Sequence, residues 1–213
     1  MSISQKRALI CLPVIIFICL AYLVTQGHTT GFDESGVLLL RGNSPTVIAG
    51  DFWQTLVSQL THLGDSVVLA IISVVTVGVL YWRNQKQAAH WFLIAAAGSF
   101  IITAFAKWAF GRDRPEIVEQ IVTASSASFP SGHTLRSAVV YSLLAFMFLK
   151  MGTKKINYII FTIASAIILM NGISRVYLGV HWPTDIIAAW LIAGFWLLLC
   201  KAGYDRACQS TSQ

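Results

Sequence analysis

Residues 88–106 read AAHWFLIAAAGSFIITAFA, an apolar run without a charged side chain. A helix needs about 20 such residues to cross the hydrocarbon core of a bilayer. Similar runs lie at residues 8–25, 66–82, 134–149, 156–173 and 184–200. Because backbone polar groups in lipid must be hydrogen-bonded internally, the pattern predicts an all-α polytopic membrane protein with six transmembrane helices.

The amino-acid composition also indicates a protein that is surrounded mainly by lipid rather than by water. Hydrophobic residues make up 56% of the chain and charged residues only 11%, against roughly 25% in soluble domains. The length fits one domain over residues 1–213. The net charge of +6 is scattered between apolar runs without a basic block, which argues against nucleic-acid binding. The four cysteines form no CxxC pair, and we interpret them as small apolar residues.

The charges orient the predicted helices. If the N-terminus lies inside, the inner loops are short and basic, as the positive-inside rule requires, and both termini are cytoplasmic. The first run follows Lys6 and Arg7 and could instead be a signal peptide. Its apolar part is longer than the usual 7–15 residues or so, and no small-residue cleavage site follows, so we favour a retained span. The short loops and compact size suggest a bacterial inner membrane.

The first outer segment, residues 26–65, carries no catalytic pattern. Within it, residues 51–63 read DFWQTLVSQLTHL and place apolar side chains at helical spacing. This predicts a short helix lying in the membrane interface. A lid helix packed on the protein without lipid contact is the alternative.

Two other outer segments, residues 107–133 and 174–185, place cations next to the ends of the predicted helices. Residues 107–115 read KWAFGRDRP, residues 129–133 read FPSGH, and residues 174–185 read SRVYLGVHWPTD. The side chains of Lys107, Arg114 and Arg175 could converge on one dianionic group, since guanidinium and ammonium groups both bind phosphate oxygens. The backbone amides of Ser131 and Gly132 precede a helix and could form an anion cradle.

Two histidines and one carboxylate complete this set. Asp185 lies four residues after His181, so its carboxylate can reach one ring nitrogen and leave the other as a nucleophile. His133 could protonate the leaving oxygen and then activate water. We interpret His28, His62 and His90 as interfacial or structural. We also leave Arg112 and Arg136 out of the main set of site residues. Arg112 lies inside the cluster but could face lipid headgroups or a neighbouring acid, and Arg136 could either help the site or pair with Glu116 or Glu119.

The three stretches match the patterns K-x6-R-P, P-S-G-H and S-R-x5-H-x3-D. Together they resemble the three motifs of the type 2 phosphatidic acid phosphatase (PAP2) superfamily of lipid phosphatases and haloperoxidases. The resemblance implies a PAP2-like helical bundle that acts without a metal ion or other cofactor. It also implies that His181 forms a phosphohistidine oriented by Asp185, and that His133 is the acid and base. The residues implied to bind phosphate are Lys107, Arg114, Ser131, Gly132 and Arg175, with Ser174 in a supporting role.

A site at headgroup depth on the outer face predicts a lipid phosphate or pyrophosphate as substrate. Candidates are phosphatidylglycerophosphate, phosphatidic acid, undecaprenyl pyrophosphate and a lipid A phosphate. Transfer of the phosphoryl group to another lipid remains an alternative, since the motifs would be the same. A lipid transporter is less favoured because the charges cluster at one interface rather than at the midplane. A metal or haem site is also less favoured, because nearby cations repel a metal ion. The sequence indicates no protein partner.

Overall fold

The computed structural model describes residues 3–42, 52–149 and 153–210, which form eight α-helices and, within these ranges, no strand. The helices are α1 (Ile3–Thr25), α2 (Thr30–Arg41), α3 (Phe52–Thr61), α4 (Ser66–Trp82), α5 (Lys86–Phe110), α6 (Gly132–Leu149), α7 (Lys154–Tyr177) and α8 (Pro183–Ser210). A short 3-10 turn, His62–Gly64, joins α3 to α4. The all-α prediction is confirmed.

Each of the six predicted apolar runs lies within one helix, namely α1 or one of α4 to α8. By length and apolar composition, α5, α7 and α8 can cross a membrane. The number of possible membrane spans rises to as many as five if each of two bent helix pairs counts as one span. One pair is α1 with α2, bent by 93°, and the other is α3 and its turn with α4, bent by 44°. The chain is therefore a multi-pass helical membrane protein, and the count of six spans stays a prediction.

Helix α6 lies at the centre of the bundle and packs against α5, α7 and α8, while α1 covers the outside of α8. The interface between α6 and α8 buries Leu135 and Val139 against Ala189 and Ala193. Small residues allow close helix approach, as is usual in membranes. A side chain at Gly98 on α5, for example, would overlap the Trp196 indole of α8. This packing holds the ends of α5, α6, α7 and α8 next to one another.

The first outer segment contains more helix than the sequence indicated. Helix α2 was not predicted, and it packs on α7 and α8 with Asp33 and Val37 buried. Helix α3 covers most of the predicted stretch 51–63, packs on α7, and leaves Phe52 and Trp53 exposed. Residues 43–51, including the first residue of the predicted helix, lie outside the described residues. The described parts of this segment therefore lie over the end of the bundle where the candidate residues are found.

Candidate active site

The structure brings the predicted residues together at one end of the bundle. Lys107 lies in the last turn of α5, and Arg175 in the last turn of α7. His133 lies in the first turn of α6, and Asp185 lies in the first turn of α8. His181 lies in the connection between α7 and α8, where Gly179 adopts a left-handed conformation with φ of 72° that suits glycine.

His181 and Asp185 form a buried pair. Nδ1 of His181 lies 3.1 Å from Oδ2 of Asp185, and Nε2 lies 3.5 Å from Nη1 of Arg114. Because a guanidinium group can only donate, Nε2 must be the accepting nitrogen and Nδ1 must carry the ring proton. The lone pair of Nε2 therefore points toward a cation that could hold a phosphate.

The surroundings keep this ring neutral. Burial lowers the pKa of His181 to about 3, and the cations of Arg175 and Arg114 act in the same direction against the Asp185 carboxylate. Only 2% of the residue is exposed. At neutral pH the ring is an uncharged imidazole, which is the nucleophilic form.

The Asp185 carboxylate is itself fixed by several donors. Oδ2 accepts hydrogen bonds from the Ser128 hydroxyl and from the backbone N–H of Trp182, the latter at 3.0 Å. Oδ1 accepts a hydrogen bond of 2.6 Å from Arg112. The Ser128 oxygen also lies 3.2 Å from Nδ1 of His181. A buried carboxylate needs such partners to offset its desolvation. The sequence analysis missed Ser128, because nothing in the run of serines and alanines around it marks this one.

Arg112 bridges two buried carboxylates, those of Asp185 and Asp33. Its Nη2 donates to Oδ2 of Asp33 at 2.7 Å and its Nη1 donates to Oγ1 of Thr184 at 2.8 Å. Asp33 also accepts from the backbone N–H of Thr184 at 2.9 Å. Arg112 thus pairs with neighbouring acids, one of the two possibilities given for it above, and one of these acids is the partner of His181. Its link to Asp33 spans 79 residues, so no local pattern could show it.

Four cations lie close enough to repel one another electrostatically: Lys107, Arg114, Arg136 and Arg175. Lys107 donates to the hydroxyl of Ser126 at 2.9 Å, and Arg114 donates through Nε to the carbonyl of the same residue at 2.9 Å. A cluster of like charges lowers its free energy by binding an anion. The three predicted cations are thus brought together, and Arg136 joins them.

Gly132 and Arg136 fit each other at the start of α6. A Cβ atom on Gly132 would lie 2.9 Å from Nη2 of Arg136 and equally close to Cγ2 of Thr103. The Arg136 guanidinium also lies over the Phe100 ring, 5.0 Å from its centroid. The missing side chain of Gly132 thus leaves room for the fourth cation.

Ser131 connects the starts of two helices. Its backbone N–H donates to the carbonyl of Asp185 at 3.2 Å, and its hydroxyl accepts from Thr134 at 2.9 Å. The Ser131 amide is therefore engaged by α8 in this structure. The anion cradle expected from Ser131 and Gly132 stays a prediction.

Arg175 and Ser174 are both attached to helix α3. Nη1 of Arg175 donates to Oγ1 of Thr61 at 3.2 Å, and the Ser174 hydroxyl lies 3.1 Å from the same atom. Arg175 is only 5% exposed, and its Nε has no hydrogen-bond partner among the described residues. Ser174 thereby links α7 to the outer segment, a contact that the motif alone does not explain.

His133 binds a carboxylate that the sequence analysis did not consider. Its Nε2 lies 2.8 Å from Oδ1 of Asp65, and Oδ2 of Asp65 lies 2.6 Å from Nδ1 of His62. Burial acts to raise the pKa of Asp65, but the hydrogen bonds with His62 and His133 outweigh it and hold that pKa below its usual value. Asp65 is therefore an ionised acceptor at neutral pH.

The two histidines are thus held by different carboxylates, His181 by Asp185 and His133 by Asp65. Within residues 3–42, 52–149 and 153–210, no group of three or more His, Cys, Asp or Glu side chains is arranged to hold a metal ion. This arrangement is suited to proton transfer and nucleophilic attack at an anion.

A cavity of about 530 Å³ lies at the opposite end of the bundle, between α4, α5, α6 and α8. Apolar side chains such as Leu80, Phe92 and Met147 line most of it, and it contains none of the predicted site residues. The candidate site is therefore defined by its converging polar side chains rather than by this cavity.

The all-helical bundle thus places two carboxylate-bound histidines and a cluster of cations at one end. The chain belongs to the PAP2 superfamily, whose family model matches residues 88–207. The match includes all three motifs quoted above.

Its relatives are membrane PAP2 lipid phosphatases. Phosphatidylglycerophosphatase B of Bacillus subtilis is 28% identical over 197 residues, covering 91% of this chain and 95% of that protein. Lipid A 1-phosphatase of Rhizobium etli is 28% identical over 170 residues, covering 69% of each chain. Undecaprenyl-diphosphatase of Sulfolobus acidocaldarius is 40% identical over 72 residues, covering 33% of this chain and 30% of that one.

Solved structures show the same architecture. The PAP2-type phosphatidylglycerolphosphate phosphatase of Bacillus subtilis superposes with a TM-score of 0.81 at 27% identity, covering 94% of this chain and 97% of that one. LpxE of Aquifex aeolicus superposes with a TM-score of 0.62 at 19% identity, covering 80% of this chain and 95% of that one, and this likeness concerns the fold alone.

Proposed function

We propose that this single-domain protein, residues 1–213, hydrolyses a phosphate monoester or pyrophosphate of a membrane lipid through a phosphohistidine on His181, without a metal ion. The observation that carries the proposal is the setting of the His181 ring. The ring is buried, its Nδ1 lies 3.1 Å from Oδ2 of Asp185, and its Nε2 faces Nη1 of Arg114 at 3.5 Å. This is the arrangement that a nitrogen nucleophile needs in front of a bound phosphate.

In the first step, Nε2 of His181 attacks phosphorus, a P–N bond forms, and the P–O bond to the lipid breaks. His133 gives a proton to the leaving oxygen. The hydrogen bond from Nδ1 to Asp185 stabilises the positive charge that develops on the ring. The phosphoryl oxygens are bound by Lys107, Arg114 and Arg175, with Ser131 and Gly132 adding hydrogen bonds and Ser174 supporting Arg175.

In the second step, water attacks the phosphohistidine. His133, now neutral, takes a proton from that water, the P–N bond breaks, and inorganic phosphate leaves. His181 returns to its neutral form and His133 to its protonated form, so the two steps balance. The cations stabilise the charge on the phosphoryl group in both steps, which is usually the largest catalytic effect.

The proposed substrate is of the phosphatidylglycerophosphate type. The support is the similarity to phosphatidylglycerophosphatase B, which extends over 91% of the chain, and the TM-score of 0.81 to a phosphatase of that type. Phosphatidic acid, undecaprenyl pyrophosphate and lipid A 1-phosphate share the same phosphate chemistry and are the alternatives to test.

We further propose six spans in a bacterial inner membrane, with both termini in the cytoplasm and the site on the outer face. The support is the position of the site. The outer segment and the connections from α5 to α6 and from α7 to α8 surround it, and the basic turn at Arg83 and Lys86 lies at the other end.

Phosphate release by the purified protein tests the proposal. In excess EDTA, the wild type should release phosphate from phosphatidylglycerophosphate, and His181→Ala should reduce the rate by at least about 1,000-fold, because the nucleophile is lost. His90→Ala is the matched control, since His90 is hydrogen-bonded to Tyr81 at the other end of the bundle, and it should keep wild-type activity.

Undiminished turnover by His181→Ala would contradict the proposal, as would activity that requires a metal. Phosphate transfer to an added acceptor lipid, without release, would favour the phosphotransferase. Movement of lipid into sealed vesicles without any release would favour the transporter.

A further inference from the structure

Asp65 and His62 are two residues of the outer segment that no PAP2 motif contains. Asp65 lies at the bend of 44° between the α3 turn and α4. Its backbone occupies the position before the first residue of α4, with the extended conformation typical of a helix-capping residue, yet its side chain makes no capping hydrogen bond. The carboxylate is directed to the histidines instead.

Both oxygens of the Asp65 carboxylate are engaged. Oδ1 lies 2.8 Å from Nε2 of His133 and Oδ2 lies 2.6 Å from Nδ1 of His62. Because an ionised carboxylate can only accept, Nε2 of His133 must carry a proton. The other ring nitrogen, Nδ1, is then the atom that exchanges a proton with the substrate.

The turn before Asp65 is fitted closely to His133. A Cβ atom on Gly64 would overlap the side-chain oxygen of Asn171 and would lie 3.3 Å from Cβ of His133. The Tyr141 hydroxyl donates to the carbonyl of Leu63 at 2.8 Å, which fixes the same turn to α6. Asp65 is thus held at a defined place relative to the ring.

Resting on the proposed function, we propose that Asp65 is a positioning residue that orients His133 and favours its protonated form, and that His62 holds the Asp65 carboxylate through its second oxygen. His133, the proposed acid and base, would then have its own carboxylate partner, just as His181 has Asp185. The hydrogen-bonded series His133, Asp65 and His62 ends at the solvent, because the side chain of His62 is 58% exposed.

The charges around His133 make such a partner necessary. Burial is the largest effect on the pKa of His133 and lowers it, to about 4 in all, and Arg175 from α7 and Arg136 from the next turn of α6 act in the same direction, while Asp65 raises it. His62 faces Asp65 on the side away from the ring. Asp65 is thus the acidic group that opposes two cations, and a carboxylate hydrogen-bonded to a histidine favours the charged ring.

The test compares Asp65→Asn with the wild type on two substrates. Phosphatidylglycerophosphate has an alkoxide leaving group that needs a proton, whereas nitrophenyl phosphate has a leaving group that needs little help. We expect Asp65→Asn to lower kcat/KM about 10- to 100-fold for the lipid and less than about threefold for nitrophenyl phosphate. His62→Gln should also lower kcat/KM more for the lipid than for nitrophenyl phosphate, but by a smaller factor than Asp65→Asn.

The pH profile gives a second readout. The limb of kcat/KM for the lipid at high pH, where His133 must stay protonated, should move down by about one pH unit or more in Asp65→Asn. Asp205→Asn is the matched control, since its carboxylate binds Lys201 on the exposed end of α8, and it should change neither readout.

Equal losses on both substrates with an unmoved pH profile would mean that Asp65 only supports the fold, and would overturn the inference. Wild-type kinetics in Asp65→Asn would overturn it too. In both cases the proposed phosphatase would stand as long as His181→Ala is inactive, whereas an active His181→Ala variant would contradict the proposed function itself.

Discussion

At the scale of single residues, the site separates two histidines by their surroundings. His181 is 2% exposed, between Asp185, Ser128 and Arg114, whereas His133 lies at the edge of the site beside Asp65. The sequence was enough to predict that both histidines and Asp185 belong together, because helix ends on one face of a bundle converge. It was not enough to reveal Ser128 or Asp65, whose contacts depend on how distant segments pack.

The low pKa of His181 predicts a stability that depends on pH. The unfolded chain binds a proton at this residue below about pH 6.5, whereas the folded protein, with a pKa of about 3, does not. The resulting penalty on the folded state is absent well above pH 6.5, grows as the pH falls, and levels off below about pH 3. Between pH 7 and 5 this group should therefore cost the folded state about 2 kcal/mol.

Thermal unfolding of the wild type and of His181→Gln at pH 7 and pH 5 measures this effect. On going from pH 7 to pH 5, the Tm of the wild type should fall further than the Tm of the variant, because only the wild type has the buried imidazole of His181. Equal losses in the two proteins would show that His181 is not buried in its neutral form.

At the scale of helices and connections, the outer segment is hydrogen-bonded to residues in or beside the three sequence motifs and holds them in place. Asp33 on α2 binds Arg112 and Thr184, Thr61 on α3 binds Arg175, and Asp65 binds His133. The sequence predicted the α3 region from its apolar spacing. It did not predict α2, because Gly31 and Gly36 weaken the helical pattern and the buried Asp33 interrupts the apolar face.

Asp33→Asn tests this fastening. The substitution removes a buried negative charge beside Arg112 and replaces an acceptor by a donor that faces Thr184, so we expect a loss of about 2–3 kcal/mol of stability and lower phosphatase activity. Differential scanning measurements of Tm in detergent, together with phosphate release, measure both effects.

Asp205→Asn is again the matched control, because the pair of Asp205 and Lys201 is about half exposed and should contribute no more than about 1 kcal/mol. Equal shifts in Tm for the two variants would contradict the role given to Asp33. A stable Asp33→Asn protein with full activity would contradict it more strongly.

At the scale of the whole molecule, the two ends of the bundle differ in chemistry. Cations and carboxylates converge where α5 and α7 end, whereas the other end carries the basic turn between α4 and α5 and the apolar cavity. The apolar runs were enough to predict six helices, and six helices contain them. Apolar composition alone did not decide which helices cross the bilayer, because α1 and α4 qualify only when each is taken together with the bent segment beside it.

The proposed orientation predicts which loops are accessible from outside. In a variant whose four cysteines are replaced by serine, Glu116→Cys between α5 and α6 should react with a membrane-impermeant maleimide on intact cells. The exposed turn between α4 and α5 provides the matched position, and Gln85→Cys there should react only after permeabilisation. The opposite pattern would place the site in the cytoplasm.

The central claim is that His181 carries the phosphoryl group between the lipid and water. The most direct measurement is to mix the protein with lipid labelled with ³²P in its terminal phosphate, quench the reaction in alkali, and locate the label by peptide mapping. We predict an acid-labile, alkali-stable label on His181 that is absent from His181→Asn. Label on any other residue, or undiminished phosphate release by His181→Asn, would contradict the account.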